Sequence, residues 1–282
     1  MQIHSITRFI AAPFLLAFGY VIIQIGSSYE FRDTYGWLVF PLLLIVVVLY
    51  VFSPNIDFWY HKKHPLKLDE SMIKWLDKHF AFYQTLSDED KEDFRHRMSL
   101  FLEAKEFYLM KREKLEMPEE MKTIITAHAI WVSFGHSDYL LPSFDRIVVY
   151  THPFPTPYYK HLHTVEVEEN DGVILFSFEH VIDGLHNKGS YNVALHGFAD
   201  AYLQKWKIPD KKIAVIDDHE LEQLSNLTHQ SILDTIGFDR TDPKLIASHH
   251  YFKYYDDVNN SSAELFESID SVYKLSPRHE RS

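Results

Sequence analysis

The apolar positions of this 282-residue chain fall into two regimes that meet near residue 60. In the first they are continuous. Residues 9–25 are 17 positions without a charge, and residues 35–52 are 18 more. At about 1.5 Å of rise per residue each run gives roughly 26 Å of helix, close to a hydrocarbon core about 30 Å thick. The polar stretch between them, 26–34, is too short to be a domain. The pattern therefore predicts a hairpin of two antiparallel transmembrane helices over 1–60. Pro13 and Pro41 fall inside the spans, where neighbouring helices tolerate them. Tyr29, Trp37, Phe58, Trp59 and Tyr60 gather near the ends, as interfacial anchors do. A cleaved leader is the competing reading of the first span, with Arg8 ahead of it and Gly26-Ser27-Ser28 as a loose cleavage match. The second apolar span, within ten residues of the first, favours the uncleaved hairpin.

Beyond residue 65 the apolar residues become periodic. Ile73, Trp75, Leu76, Phe80 and Phe82 predict a helix over 71–82. Ser87-Asp-Glu-Asp90 has the form of a capping box, and Phe94, Met98, Phe101 and Leu102 follow at helical spacing. A further helix is predicted over 118–135, with a broad apolar face from Met121 to Trp131. The period then shortens. Residues 146–151, 164–167 and 173–178 are β-branched and aromatic runs separated by turn signals such as Asn170-Asp171-Gly172. They predict a small sheet, beside a helix over 192–204. Helices over 244–255 and 264–273 and a charged tail from Ser276 complete the chain. His161-x-His163 reads as a solvated feature of the sheet edge. Asn226-x-Thr228 fits a glycosylation acceptor, which a cytoplasmic location makes moot. The fold class is α+β and mostly helical, with residues 65–275 as one domain and 276–282 as a tail.

Charge settles what the chain meets. The net charge is −12, from 40 acidic and 28 basic residues. A basic stripe is lacking, which excludes nucleic acid as a partner. Residues 1–60 carry Arg8 and Arg32 against Glu30, Asp33 and Asp57, so −11 belongs to the remainder. Lys62, Lys63 and Lys67 follow the second span, and the positive-inside rule places both termini and the large domain in the cytoplasm. The expected setting is the inner membrane, multi-pass, with the bilayer as one partner and a cytoplasmic protein or peptide as another. With no cysteine, neither a disulfide framework nor a thiolate metal site is open to the chain.

Candidate chemistry lies in the 192–204 helix. His196 and Asp200 are four apart and project from one face, the frame on which H-E-x-x-H zinc peptidases hold two ligands. Here the pentapeptide is H-G-F-A-D. Glu179 and His180 are examples of neighbouring groups for acid–base work, though no spacing places either at a metal.

Five segments taken together resemble the Mlc titration factor A family of zinc metallopeptidases: 86–107, 121–135, 141–154, 172–204 and 241–252. The resemblance covers about 70–275 and leaves the hairpin outside. It implies a zincin-like domain whose motif is H-E-F-A-H with a glutamate ligand from a downstream helix. By position, His196 then matches the first ligand, Gly197 stands where the general base belongs, Asp200 replaces the second histidine, and His249 replaces the glutamate. The implied metal set is His196, Asp200 and His249, again two imidazoles and one carboxylate, with zinc as the cofactor. Three readings stay open: a metal-free pseudopeptidase serving as a binding or scaffold module, a metal-binding but non-proteolytic site, and an active peptidase with rearranged ligands. If the backbone keeps the family's geometry, Gly197→Glu with Asp200→His and His249→Glu is expected to restore zinc binding.

Overall fold

The computed structural model describes residues 6–64, 66–110, 116–209 and 212–275, apart from the side chains of Pro54, Phe58 and Lys62. The expected anchor Phe58, the basic Lys62 and the tail from Ser276 thus lie outside what is described. The chain divides into two compact units, Met1–Leu66 and Lys67–Ser282.

The first unit is the hairpin. Helix α1 is Ile6–Ser27, α2 is the short Tyr29–Tyr35, and α3 is Val39–Lys63, reached through a 3-10 turn at Gly36–Leu38. Ile6–Ser27 and Tyr29–Ser53 are each long and apolar enough to cross a membrane. The stretch expected as a polar loop is instead helical, because Ser28 caps it by accepting from the Phe31 N–H at 3.3 Å. One buried polar link ties the two long helices. Asp57 of α3 accepts from the backbone N–H of Thr7 (2.8 Å) and its hydroxyl (2.6 Å), at the N-terminus of α1. A carboxylate there satisfies orphan donors and complements the helix dipole. The link is made only if the first span stays in place.

The second unit begins with α4 (Glu70–His79), α5 (Ala81–Gln84) and α6 (Asp88–Ala104). The single helix expected over 71–82 is split at Phe80, whose extended backbone (φ −109°, ψ 95°) lets its fully buried ring pack edge-on to His128 and Trp131. Strand β1 (Glu106–Met110) follows, then α7 (Glu119–Ser133), β2 (Arg146–Tyr150), β3 (Val165–Glu168) and β4 (Val173–Ser177). The sheet order is β1-β2-β4-β3. The first three strands are parallel, and β3 runs antiparallel along the edge beside β4.

Helices close the fold: α8 (Phe178–His186), α9 (Val193–Trp206), α10 (Asp218–Ser225), α11 (His229–Ile236), α12 (Pro243–Lys253), α13 (Tyr255–Ser261) and α14 (Ala263–Tyr273). The Asn-Leu-Thr triplet is the junction of α10 and α11. Asn226 takes the left-handed C-cap conformation (φ 58°), and Thr228 opens α11 through a capping box with Ser231. Helix α9 packs on β3 and β4 on one side and on α7 and α12 on the other, the Phe198 ring lying 5.2 Å from that of Phe176. One apolar core runs through the unit.

The paired histidines beside β3 separate. His161 is exposed, but His163 is fully buried, its Nε2 2.8 Å from the Glu166 carboxylate and its Nδ1 3.1 Å from the His161 carbonyl. The solvated reading is therefore corrected for His163: Phe154, Tyr159 and Phe238 close over its ring.

Candidate metallopeptidase centre

Asn192 organises the centre. As the N-cap of α9 its side-chain oxygen accepts from the N–H groups of Ala194 (3.0 Å) and Leu195 (3.1 Å). The other end of the amide donates to Nε2 of His128 on α7 at 3.0 Å, and Nδ1 of His128 bonds the Ile124 carbonyl at 2.7 Å. The backbone N–H of Asn192 donates to Nε2 of His249 on α12 at 2.9 Å. Every polar group of this buried residue is used, which fixes the orientation of its amide. The loop that carries it is clamped from α12. Lys253 donates to the carbonyls of Gly184 and Asn187 at 2.9 Å each, and to that of Ser190. On the other flank Gly184 touches the loop so closely that a Cβ there would lie 2.4 Å from the Asn192 Cα.

Around this hub the histidines are neutral. Burial pushes His128 down to about 4, against a weaker opposing effect of its bond to Ile124. His196 is also pushed to about 4, and His249 well below the ordinary imidazole range, chiefly by burial and then by the neighbouring His250. His250 follows the same pattern at about 4; its Nδ1 bonds the Ile246 carbonyl (2.8 Å) and its Nε2 the Ser225 hydroxyl (3.1 Å). A charged imidazole in a site this dry would lose its hydration without a counter-charge to replace it.

The three expected ligands come only partly together. Tyr191 bridges two of them: its hydroxyl shares a 2.8 Å hydrogen bond with Nδ1 of His196, and its ring stacks on His249 with centroids 4.0 Å apart. His249 offers no free lone pair. Its Nε2 accepts from Asn192, and its Nδ1 faces Nδ1 of His250 at 3.4 Å. Asp200 turns along its own helix and accepts from Gln204 at 2.9 Å, with burial lifting its pKa to about 6. Zinc requires three donors converging within about 2.0–2.2 Å of one point. Among the described residues no three His, Asp or Glu side chains are so arranged. The donor set does not fit zinc. His249 could serve only by giving up the bond that holds the start of α9.

Position 197 is closed from the other side. A Cβ built on Gly197 would stand 2.6 Å from Cε1 of Phe176 and 2.7 Å from Cγ2 of Val165. Both side chains are buried in the sheet-facing core. Glycine here is what allows α9 to approach β3 and β4 this closely. The triple replacement expected to restore zinc binding would have to displace Phe176 and Val165. Glu179 and His180 do not supply a substitute. Glu179 bonds the exposed His152, while Nδ1 of His180 lies 3.0 Å from the Ser177 hydroxyl.

Sequence reasoning missed Tyr191, Asn192, His128 and Ser225. A signal existed only for Asn192, a good N-cap residue immediately before the periodic run of α9.

No curated protein matches the chain. The model of the glucose-regulated metallopeptidase M90 family matches residues 58–202. The match takes in His196, Gly197 and Asp200 and ends well before His249, so the third position rests on the resemblance of residues 241–252. Matched over 145 of its 282 residues, with α7 behind α9 and an antiparallel edge strand before it, the chain belongs to the glucose-regulated metallopeptidase M90 family, the family of Mlc titration factor A.

Proposed function

We propose that this protein is a membrane-anchored pseudopeptidase, a metallopeptidase-family domain that binds a cytoplasmic protein or peptide without cleaving it. The observation that carries this reading is the packing at Gly197. A positioned general base contributes roughly 10² to 10⁴ in rate, and Phe176 and Val165 occupy the room it would need. The commitment of His249 to Asn192 supports the same conclusion from the ligand side. A capacity to hold an extended peptide is compatible with β3, an edge strand bonded to β4 on one side. The test is hydrolysis of a mixed peptide library by the full chain, with and without chelator. No chelator-sensitive cleavage is expected; cleavage abolished by chelator and by His196→Ala would establish the active enzyme instead.

The hairpin is the proposed anchor, inserted with the large domain on the cytoplasmic side of the inner membrane. Its two apolar helices and the basic residues that flank them support this orientation. Since the chain has no cysteine, single cysteines report sidedness cleanly. In intact spheroplasts a membrane-impermeant maleimide should label Thr34→Cys and spare Lys160→Cys; the opposite pattern would invert the topology.

A further inference from the structure

The region after α9 holds a pocket of about 460 Å³, lined by residues of 215–221 together with His229, Pro243 and Ile246. It lies outside the residues matched by the family model. Its volume is within the range of ligand sites, about 300–1,000 Å³. The floor is aliphatic: Ile216, Leu221 and Ile246 are all buried. Val215 is 63 % exposed, an apolar side chain two residues before the first of two exposed carboxylates, Asp217 and Asp218.

Two electrostatic effects oppose each other at the mouth of this pocket. The N-termini of α10, α11 and α12 all border it, at Asp218, His229 and Pro243. Three helix ends supply roughly +1.5 charges in total. Each is already capped by its own chain: Asp217 accepts from Glu220 at 2.8 Å, Thr228 from Ser231 at 3.1 Å and Asp242 from Lys244 at 3.0 Å. Asp217, Asp218 and Asp242 bring three full negative charges to the same ends. Residues 211–243 contain seven carboxylates against Lys211, Lys212 and Arg240. Lys244, the nearest lysine on α12, is 3.1 Å from the Asp242 carboxylate. The negative charges outweigh the dipoles, so the mouth selects for a cation beside an aliphatic pocket.

We propose that this pocket docks a cationic, amphipathic peptide segment of a protein partner. An aliphatic side chain enters between Ile216, Leu221 and Ile246, and a flanking lysine or arginine pairs with Asp217 or Asp218. The proposal goes beyond the binding role stated above and places it at a site other than β3.

The test uses the full chain in nanodiscs of zwitterionic lipid, with empty nanodiscs subtracted. Fluorescence anisotropy follows labelled peptides of alternating lysine and leucine, lysine and serine, or glutamate and leucine. The lysine–leucine peptide should bind, and the other two should bind about tenfold more weakly or not at all. Asp218→Lys should weaken it about tenfold, as should Asp218→Asn in part, while Glu169→Lys on the exposed β3–β4 turn should stay within about twofold. Circular dichroism confirms that each variant is folded. Equal losses for Asp218→Lys and Glu169→Lys would reduce the effect to general attraction by an acidic body and overturn the pocket. Absence of binding above empty nanodiscs would overturn it as well. Mass spectrometry of the recovered peptide separates the two claims: chelator-sensitive cleavage refutes the pseudopeptidase and leaves the docking result to be judged by the variants.

Discussion

The two faces of α9 are closed by different means. Toward β3 and β4 the helix is closed by shape: Gly197 brings the backbone onto Phe176 and Val165, leaving no space for a side chain. Toward α7 and α12 it is closed by hydrogen bonding, with Asn192 tying the start of the helix to His128 and His249. The resemblance implies a metal that would join α9 to α12 through His196, Asp200 and His249. Here a neutral imidazole accepting a backbone N–H makes that connection. The comparison separates two ways of closing a helix face, by packing and by satisfying polar groups, and α9 shows both.

The two closures should fail differently. The largest effect is expected on the sheet face. Gly197→Glu places an unpaired carboxylate against Phe176 and Val165, at a cost of about 4 kcal/mol or more, a large part of the stability of a typical domain. Gly197→Ala loses less. Its gain in helix propensity of about 1 kcal/mol is outweighed by overpacking of about 1–3 kcal/mol, so a small net destabilisation is expected on chemical denaturation. A stabilised Gly197→Ala variant would show that α9 can withdraw from the sheet.

The helix-side closure should instead respond to acid. His128, His196 and His250 are held near 4 in the folded state and return to about 6.5 when unfolded. The unfolded chain therefore binds more protons between these values. The contribution of these groups is complete above about pH 6.5 and is lost as pH falls toward 4. Asp200 acts with the opposite sign, since its raised pKa of about 6 favours the folded state as pH falls, but one group does not balance three. Urea unfolding midpoints should drop steeply from pH 7 to pH 4.5, and more steeply than in His128→Gln. A flat profile would mean that these rings are accessible to water.

A smaller, local effect isolates the hub. Asn192→Ala removes an N-cap worth about 1 kcal/mol and leaves Nε2 of His128 without its donor, for a further 1–3 kcal/mol or so. Asn192→Ser should recover the cap and little else. If Asn192→Ala and Asn192→Ser were equally destabilised, the cap would not be a separable part of the loss.

The two apolar spans, the cap at Ser87, strands β2–β4 and the frame of α9 were legible because each follows a local period or cap. What was not legible depends on contacts distant in sequence. β1 adjoins an amphipathic helical run, and its Glu106–Met110 segment becomes a strand by pairing in register with Arg146–Tyr150. His163 is buried by Phe154 and Phe238, the latter far along the chain. His249 could be matched to a ligand position by sequence, but the N–H that occupies its Nε2 belongs to a residue 57 positions earlier. Gly197 read as an absent base; only the packed sheet shows why glycine is needed there.

The most direct measurement is the metal content of the full chain purified without chelator and then offered zinc, read by elemental analysis alongside thermal unfolding. Zinc far below one per chain is predicted, with an unfolding temperature unmoved by zinc or chelator, because no three donors converge among the described residues and His249 is held by Asn192. One zinc per chain, lost in both His196→Ala and His249→Ala and stabilising the fold when bound, would contradict the closed centre.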